Sequence, residues 1–459
     1  MSPGAPLEQG KIIKIKKLDN DMITILILFK DHCDWPAIAK CNFNDREEND
    51  PVEQDDVSEE SVDEVIEPVH IAENITVPDT GYKVICYFTN WAVYRQGPAR
   101  FLPEDVDYTL CTHINYGFAV LDPDSLKMVP HDSYVDVEKS FYKDIVAFKS
   151  KGVKVLIALG GWNDSEDDKY SRLVADREKR ENFVSSAVKF IQEWGFDGLD
   201  LDWEYPKCWQ VDCAKGPDSD KEGFSALVKE LSEAMKPLDL ILSAAVSPSK
   251  TVIDQAYDVS VLNDHLDIIN VMTYDYHGYW DRQTGHVSPL YSAPGSSDNF
   301  NSNFSLNYWA QLGADKEKLV LGLPFYGQTF SLASPAENGL GADVLGRGEA
   351  GEFTRAGGFL SFYEICRKIK SDSWRVVQDP DQRQGPYATS EDQWVSYDDV
   401  SMVRVKAEYV LENGFGGAMV WALDLDDYSG MCGCEQYPLL KTVNRVLRDY
   451  PVPEPQCDL

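Results

Sequence analysis

The 459 residues predict an α/β fold: a closed (β/α)8 TIM barrel with an α+β subdomain inserted between its seventh and eighth strands. Three observations lead there. From residue 82 onward, eight short apolar runs recur, at 84–88, 113–118, 153–159, 198–202, 241–246, 268–273, 319–323 and 417–421. Gaps such as 171–194 and 221–237 are helical in composition, and strands alternating with covering helices are the pattern of a parallel sheet. Eight repeats favour a closed barrel over an open doubly wound sheet, and the chain is long enough to hold one. The gap between the seventh and eighth runs is too long for one helix, so roughly 327–392 is read as the inserted subdomain on the barrel rim.

Four segments follow from this frame: an N-terminal segment 1–43, an acidic disordered linker 44–79, the barrel 80–450 and a tail 451–459. In 44–79 Asp and Glu dominate, Arg46 alone opposes them, and no apolar period appears. The apolar run 22–29 follows a Lys-rich stretch and precedes Lys30, Asp31 and His32, so it lacks the form of a signal peptide. It is also far short of the roughly 20 apolar residues that span a bilayer, and no membrane partner is expected. The chain is accordingly expected to be a piece of a longer precursor with further domains.

A formal net charge of −34 with 12% aromatic residues reads as a folded protein with an acidic surface, which argues against nucleic acid as a partner. A neutral ligand is indifferent to that charge and is gripped by aromatic faces and hydrogen bonds. The ten cysteines are even in number and show no paired C-x-x-C spacing, which suits disulfides better than zinc. With sequons at Asn74, Asn163 and Asn303, they point to a secreted, extracellular protein.

The most informative segment is 196–206, FDGLDLDWEYP, on the fourth run and its C-terminal end. Side chains alternate along a strand, so Asp200, Asp202 and Glu204 share one face while Leu201 and Trp203 turn toward the covering helices. Asp197 is out of phase and belongs near the strand's start. A row of carboxylates inside a barrel is costly to ionise, and a fold has no use for it. Carboxylates merely satisfied by neighbouring hydroxyls and amides are the bland alternative. Calcium is a second one, disfavoured by the interleaved Leu199, Leu201 and Trp203.

The spacing D-x-x-D-x-D-x-E in 197–204 resembles the hallmark of glycoside hydrolase family 18, and 82–450 as a whole is similar to that family. Further matching blocks are CYFTNW at 86–91, YGFA at 116–119, LGGWND at 159–164, MTYDYHG at 272–278, GLPFYG at 322–327 and GGAMVWALDLDD at 416–427. The run CWQVDCAKGPDSDK at 208–221 resembles arthropod multidomain chitinases in particular. Upstream, DHCDWPAIAKCN at 31–42 is similar to the closing segment of a peritrophin-type chitin-binding module. Such modules use six cysteines and only Cys33 and Cys41 occur here, so it reads as a truncated remnant.

The resemblance implies a chitinase, endo-acting, that cleaves β-1,4 linkages between N-acetylglucosamine units of chitin and chitooligosaccharides. In the implied retaining mechanism the substrate's N-acetyl group is the nucleophile, so no metal and no organic cofactor is called for. Glu204 would be the acid and base, its pKa raised by a neighbouring ionised Asp in a partly desolvated mouth. Asp202 would turn toward Glu204 and the acetamido N–H, Asp200 would share a proton with Asp202 when the site is empty, and Tyr274 would hydrogen-bond the acetamido carbonyl. Asp275 and Met272 would line the same sugar pocket, with Trp421 as its floor. Tyr87, Phe118, Gly161, Trp162, Asn163, Tyr205 and Tyr326 match cleft positions, and Trp91 and Trp280 are candidates for outer subsites.

Two departures from the family pattern stand out. Gln328 occupies a position where many relatives carry Arg, which removes one charged sugar contact, and Ala158 precedes Leu159, Gly160 and Gly161 where bacterial members have Ser. By resemblance Cys86 would pair with Cys111, and Cys366 with Cys432 or Cys434; Cys208 and Cys213 are paired by proximity. The rival reading from another class is a non-catalytic chitin-binding lectin of the same fold. Such relatives usually lose the position matching Glu204, which this chain keeps together with Asp200, Asp202 and Tyr274.

Overall fold

The computed structural model describes residues 15–18, 22–25, 77–293, 299–371 and 374–455. The peritrophin-like 31–42 with Cys33 and Cys41, the sequon at Asn74 and nearly all of the 44–79 linker lie outside the described residues. The chain divides into two units, Met1–His70 and Ile71–Leu459. In the first, Ile15–Leu18 and Met22–Ile25 pair as antiparallel strands, with Leu18 opposite Met22.

The second unit is a closed barrel of eight parallel strands. They are β1 (Lys83–Thr89), β2 (His113–Leu121), β3 (Lys154–Gly160), β4 (Gly198–Asp202), β5 (Ile241–Val246), β6 (Ile268–Val271), β7 (Leu319–Pro324) and β8 (Gly417–Trp421). Each pairs with its neighbours in chain order, and β1 closes the ring against both β2 and β8. The strands are near-continuous apolar runs because both of their faces are covered. Thus β1 reads KVICYFT with only Lys83 outside the core, and β3 reads KVLIALG with only Lys154 exposed.

The covering helices follow from local signals. Arg177–Trp194 starts where the Asp176 side chain accepts from the Lys179 N–H, ends at Gly195 with φ 80°, and buries Phe183, Ala187, Phe190 and Ile191 on one stripe. Ser219–Met235 buries Phe224, Leu227, Val228, Leu231 and Met235 at the same spacing. The helix expected over 171–194 is two helices, Lys169–Val174 and Arg177–Trp194. Asp176 has extended backbone there, because its carboxylate caps the second helix instead of continuing the first.

The sixth run also ends early. Beyond Val271 the backbone folds back in two tight turns, Thr273 N–H to Val271 C=O at 2.8 Å and Tyr274 N–H to Met272 C=O at 2.7 Å. Met272, Tyr274 and Asp275 therefore sit on a turn at the strand's end.

Between β7 and β8 the chain forms the inserted subdomain, an antiparallel sheet with one helix. Its central strand Tyr326–Leu332 pairs with Val344–Arg347, Phe359–Ser361 and Gln393–Ser396, and the helix Phe362–Ser371 follows the second of these. The sheet spans 326–396, and only Phe325 separates its first strand from the end of β7 at Pro324, so Tyr326 and Gln328 lie close to the barrel mouth. Disulfides join Cys86 to Cys111, Cys208 to Cys213 and Cys366 to Cys432, and Cys434 is also disulfide-bonded. No helix among the described residues is long and apolar enough to cross a membrane.

Candidate active site

The fourth strand carries the site because of its alternation. Leu201 and Trp203 turn outward into the layer under the helices, where the Trp203 ring stacks on Tyr170 and meets Phe224 edge-on. Asp200 and Asp202 turn into the barrel and are buried. Glu204 lies just past the strand end, in the mouth. Asp197 lies at the opposite end, where its carboxylate pairs with Lys149 at 3.1 Å and accepts from the Val155 N–H. It braces the strand's base and does not approach the cleft.

Asp200 is held by three donors from three strands. Tyr87 OH donates to Oδ2 at 2.5 Å, and Ser243 Oγ and Asn270 Nδ2 donate to Oδ1 at 2.5 Å and 3.2 Å. Burial pushes its pKa up, and these hydrogen bonds pull back. Asp200 acts on Asp202 through charge, and its carboxylate oxygens are taken up by Tyr87, Ser243 and Asn270.

Asp202 differs. Its Oδ1 is buried without a hydrogen-bond partner, and its pKa is raised well above the usual carboxylate range by burial, then by the charges of Glu204 and Asp200. Such an acceptor costs about 1–3 kcal/mol to leave unmet, so it is a site waiting for a donor. Glu204 is half-buried at the cleft floor, and its pKa is raised to about 8. Burial is the first cause and the charge of Asp275 the second, with a hydrogen bond from Tyr205 opposing them. The charge that raises Glu204 is thus that of Asp275, on the turn after β6. Asp202 and Glu204 are linked in the other direction, through the rise that Glu204 imposes on Asp202.

The backbone beside these groups has no room to spare. The Gly161 N–H donates to the Asp202 carbonyl at 2.8 Å, and a Cβ on Gly160 would stand 2.2 Å from that same carbonyl oxygen. Gly160 and Gly161 both have positive φ, and a Cβ on Gly161 would strike the Phe118 ring at 2.7 Å. Only glycine fits at either position. Ser165 ties this loop to the acid: its Oγ accepts from the Glu204 N–H at 2.9 Å and donates to the Gly161 carbonyl at 2.9 Å.

An aromatic floor lies alongside. The Trp421 ring sits 5.2 Å from Tyr87, 5.9 Å from Phe118 in a stacked arrangement and 6.3 Å from Trp91. Tyr274 meets Tyr326 edge-on at 6.1 Å, and Tyr326 stacks on Phe359 at 4.7 Å. One cavity of about 720 Å³ gathers Tyr87, Phe118, Gly161, Asp202, Tyr326 and Trp421. A second, of about 1240 Å³, holds Tyr205, Tyr276, Tyr279, Trp280, Gln328 and Phe359. Glu204, Trp162, Asn163, Met272, Tyr274, Asp275 and Trp421 line both, so the two form one groove passing over the acid. Asn163 is exposed in this groove and the Ser165 of its sequon is buried.

Several contributors carried only a faint sequence signal. Ser243 and Asn270 interrupt the runs ILSAAV and IINV, and a polar residue inside an apolar strand is the signal that could have found them. Gln328 donates through Nε2 to Asp275 Oδ1 at 2.8 Å, a contact across 53 positions that no local pattern predicts. Among the described residues, no group of three or more His, Cys, Asp or Glu is arranged to hold a metal ion.

The model of glycosyl hydrolases family 18 matches residues 83–426, which run from the first strand to just past the last. The chain belongs to that family. Relatives of this glycosyl hydrolase family 18 chain include the fruit-fly Drosophila melanogaster protein named probable chitinase 10, 58% identical over 397 residues. That match covers 86% of this chain and 17% of the fruit-fly protein. Among solved structures, catalytic domain 2 of the Group II chitinase of the moth Ostrinia furnacalis is 57% identical, with a TM-score of 0.81 over 82% of this chain and 99% of that one. A mutant of that moth domain has been solved in complex with penta-N-acetylchitooctaose (NAG)5. Human YKL-39, described as a pseudo-chitinase with retained chitooligosaccharide binding properties, is 36% identical with a TM-score of 0.73, over 80% of this chain and 99% of that one.

Proposed function

We propose that this chain hydrolyses β-1,4 linkages between N-acetylglucosamine units of chitin and chitooligosaccharides, by a retaining mechanism in which the substrate's own acetamido group is the nucleophile. The observation that carries it is the pairing of a proton-holding Glu204 with an unpartnered, buried Asp202 oxygen in one aromatic groove. The relatives' names and the oligosaccharide complex of the moth domain support the substrate class. The disulfides and the sequons support secretion.

In this mechanism a sugar lies on Trp421 with its glycosidic oxygen over Glu204. Its acetamido carbonyl oxygen bonds to C1 as the C1–O bond breaks, and Glu204 gives its proton to the leaving oxygen. Asp202 accepts from the acetamido N–H, turns the carbonyl toward C1 and offsets the positive charge that spreads over the oxazolinium ring. The Tyr274 hydroxyl donates to the acetamido carbonyl. Water then attacks C1 on the opposite face, Glu204 takes its proton, and the ring reopens with net retention. Asp200 does not touch substrate; with Tyr87, Ser243 and Asn270 it sets the charge that Asp202 experiences.

The deciding experiment is the product pattern from chitohexaose with the purified chain. Dimers and trimers are expected; binding without any cleavage would instead make this a lectin comparable to the pseudo-chitinase YKL-39. The pH dependence is a second check. Glu204 works as an acid, so it must be protonated, and kcat/KM is expected to fall as pH rises through about 8. Asp275→Asn deletes the charge that raises Glu204, so this basic limb moves to lower pH; an unmoved limb would show that the limb belongs to another group.

Trp421→Ala removes the floor under the reacting ring while leaving the carboxylates in place. It is expected to raise KM and to lower kcat, each by about tenfold, because stacking both binds the ring and aligns it. A change in KM alone would mean that the ring only binds.

A further inference from the structure

The helix Val400–Asn413, which follows the inserted subdomain, carries a lysine on its apolar stripe. Lys406 lies among Met402, Val403, Ala407 and Val410 and is wholly buried. Its Nζ has three donors and uses each of them. It donates to the Ser288 carbonyl and to Ser288 Oγ, both at 2.6 Å, and to Asp398 Oδ2, with which it forms a buried ion pair. Packed apolar side chains in place of such a pair are often neutral or stabilising, so the needs of the core alone do not account for it.

The groups that the ammonium touches lead into the site. Ser288 Oγ accepts from Lys406, and its single hydrogen goes to the Thr273 carbonyl at 2.6 Å. The Ser288 backbone is fixed as well. Its N–H donates to His286 Nδ1 at 3.0 Å, which leaves the ring proton on Nε2 to donate to the Tyr397 carbonyl at 3.1 Å. That imidazole stays neutral, because burial and then the Lys406 charge lower its pKa to about 3. Thr273 is also pinned through its side chain, Oγ1 donating to the Gly322 carbonyl on β7 at 2.7 Å. The Thr273 carbonyl belongs to the planar peptide group that joins it to Tyr274, so the Ser288 bond sets the plane from which Tyr274 projects. Asp275, one residue further, has its own tether in Gln328 Nε2 at 2.8 Å.

We propose that Ser288 and Lys406 are positioning residues for the reaction: the ammonium commits the Ser288 hydroxyl to the Thr273 carbonyl, and that bond holds Tyr274 where its own hydroxyl meets the acetamido group. The inference rests on the reading of the groove as a site of acetamido-assisted hydrolysis. Neither residue lines the groove, and both act through Tyr274. Without the ammonium the Ser288 hydroxyl is free to turn its hydrogen away, and the peptide group between Thr273 and Tyr274 loses the donor that orients it.

The test is a double-mutant cycle of Ser288→Ala and Tyr274→Phe. It is read by steady-state kinetics on chitohexaose and by calorimetry with chitopentaose, the latter in a Glu204→Gln background that slows turnover. Ser288→Ala is expected to lower kcat about tenfold and to weaken binding about threefold, since a small displacement of a group at the reacting centre costs more in rate than in binding. In Tyr274→Phe the same change is expected to do nothing further to either quantity, because the hydroxyl it positions is absent. A residue that serves only the fold gives the same loss in both backgrounds. The basic limb of kcat/KM is expected to stay in place, because Asp275 keeps its Gln328 tether. Lys406→Met combined with Asp398→Asn removes the ion pair without leaving a charge unpaired, and it is expected to reproduce Ser288→Ala. Additive losses overturn the proposal, as do a shifted basic limb, wild-type kcat in both variants, or a failure of both to fold. Coupled losses in binding, with no cleavage of chitohexaose by the wild type, refute hydrolysis and leave the positioning role standing. Cleavage with additive losses does the reverse.

Discussion

Glu204→Gln is expected to lower kcat on chitohexaose by about 10²–10⁴-fold, the range that a positioned general acid contributes, while binding changes by less than about threefold. The amide matches the carboxyl in shape, but its N–H does not transfer a proton to a leaving oxygen. The groove's aromatic walls, Trp421 and Tyr274 among them, are untouched by the change. The size of the effect follows from how Glu204 is held. Burial and the Asp275 charge keep its proton on up to about pH 8, so at neutral pH nearly every molecule carries the acid in its working form. Steady-state kinetics alongside calorimetry on the variant make the check. Turnover like that of the wild type would remove Glu204 from the mechanism altogether.

Asp202→Asn is expected to cost about 10²–10³-fold in kcat, comparable with the loss of one preorganised group that stabilises charge in a transition state. Its pKa is raised by burial and by the neighbouring Glu204 and Asp200, and its Oδ1 has no hydrogen-bond partner. That state is unfavourable in the free protein and is relieved when an acetamido N–H arrives and positive charge develops beside it. Asparagine still offers an oxygen to that N–H but cannot become an anion, so the loss falls on the step where charge develops. KM should therefore move much less than kcat. The two effects are separated by comparing an N-acetylated substrate with one whose acetamido group is replaced by a hydroxyl, on which wild type and variant should perform equally poorly.

Much of this site is legible in the chain. The spacing of Asp200, Asp202 and Glu204 could be read because a strand alternates its side chains, and because no barrel interior needs that many carboxylates for its own stability. The paired Gly160 and Gly161 at the end of β3 announce a close approach of backbone, and the approach is to the Asp202 carbonyl. The first strand and the last were visible as apolar runs with aromatic ends, which places Tyr87 and Trp421 near the mouth. The break at Asp176 was not legible, since the flanking residues all favour a helix and only the capping geometry divides it. Nor was the early end of β6, where two turns replace the strand and bring Asp275 toward Glu204.

The residue order by itself determined which strand carries the acids, which side chains share a face and which loops close over glycine, because strand alternation and backbone sterics act between near neighbours. The tertiary structure alone decided which charges meet and how firmly each proton is held. Tyr87 and Asp200 are 113 positions apart and Asn270 and Asp200 are 70 apart, yet both contacts fix one carboxylate. The same holds for Gln328 and Asp275, brought together by an inserted sheet that the barrel does not need for closure. A proton affinity sums burial and charge over everything within a few ångströms, and that neighbourhood exists only once the chain has closed.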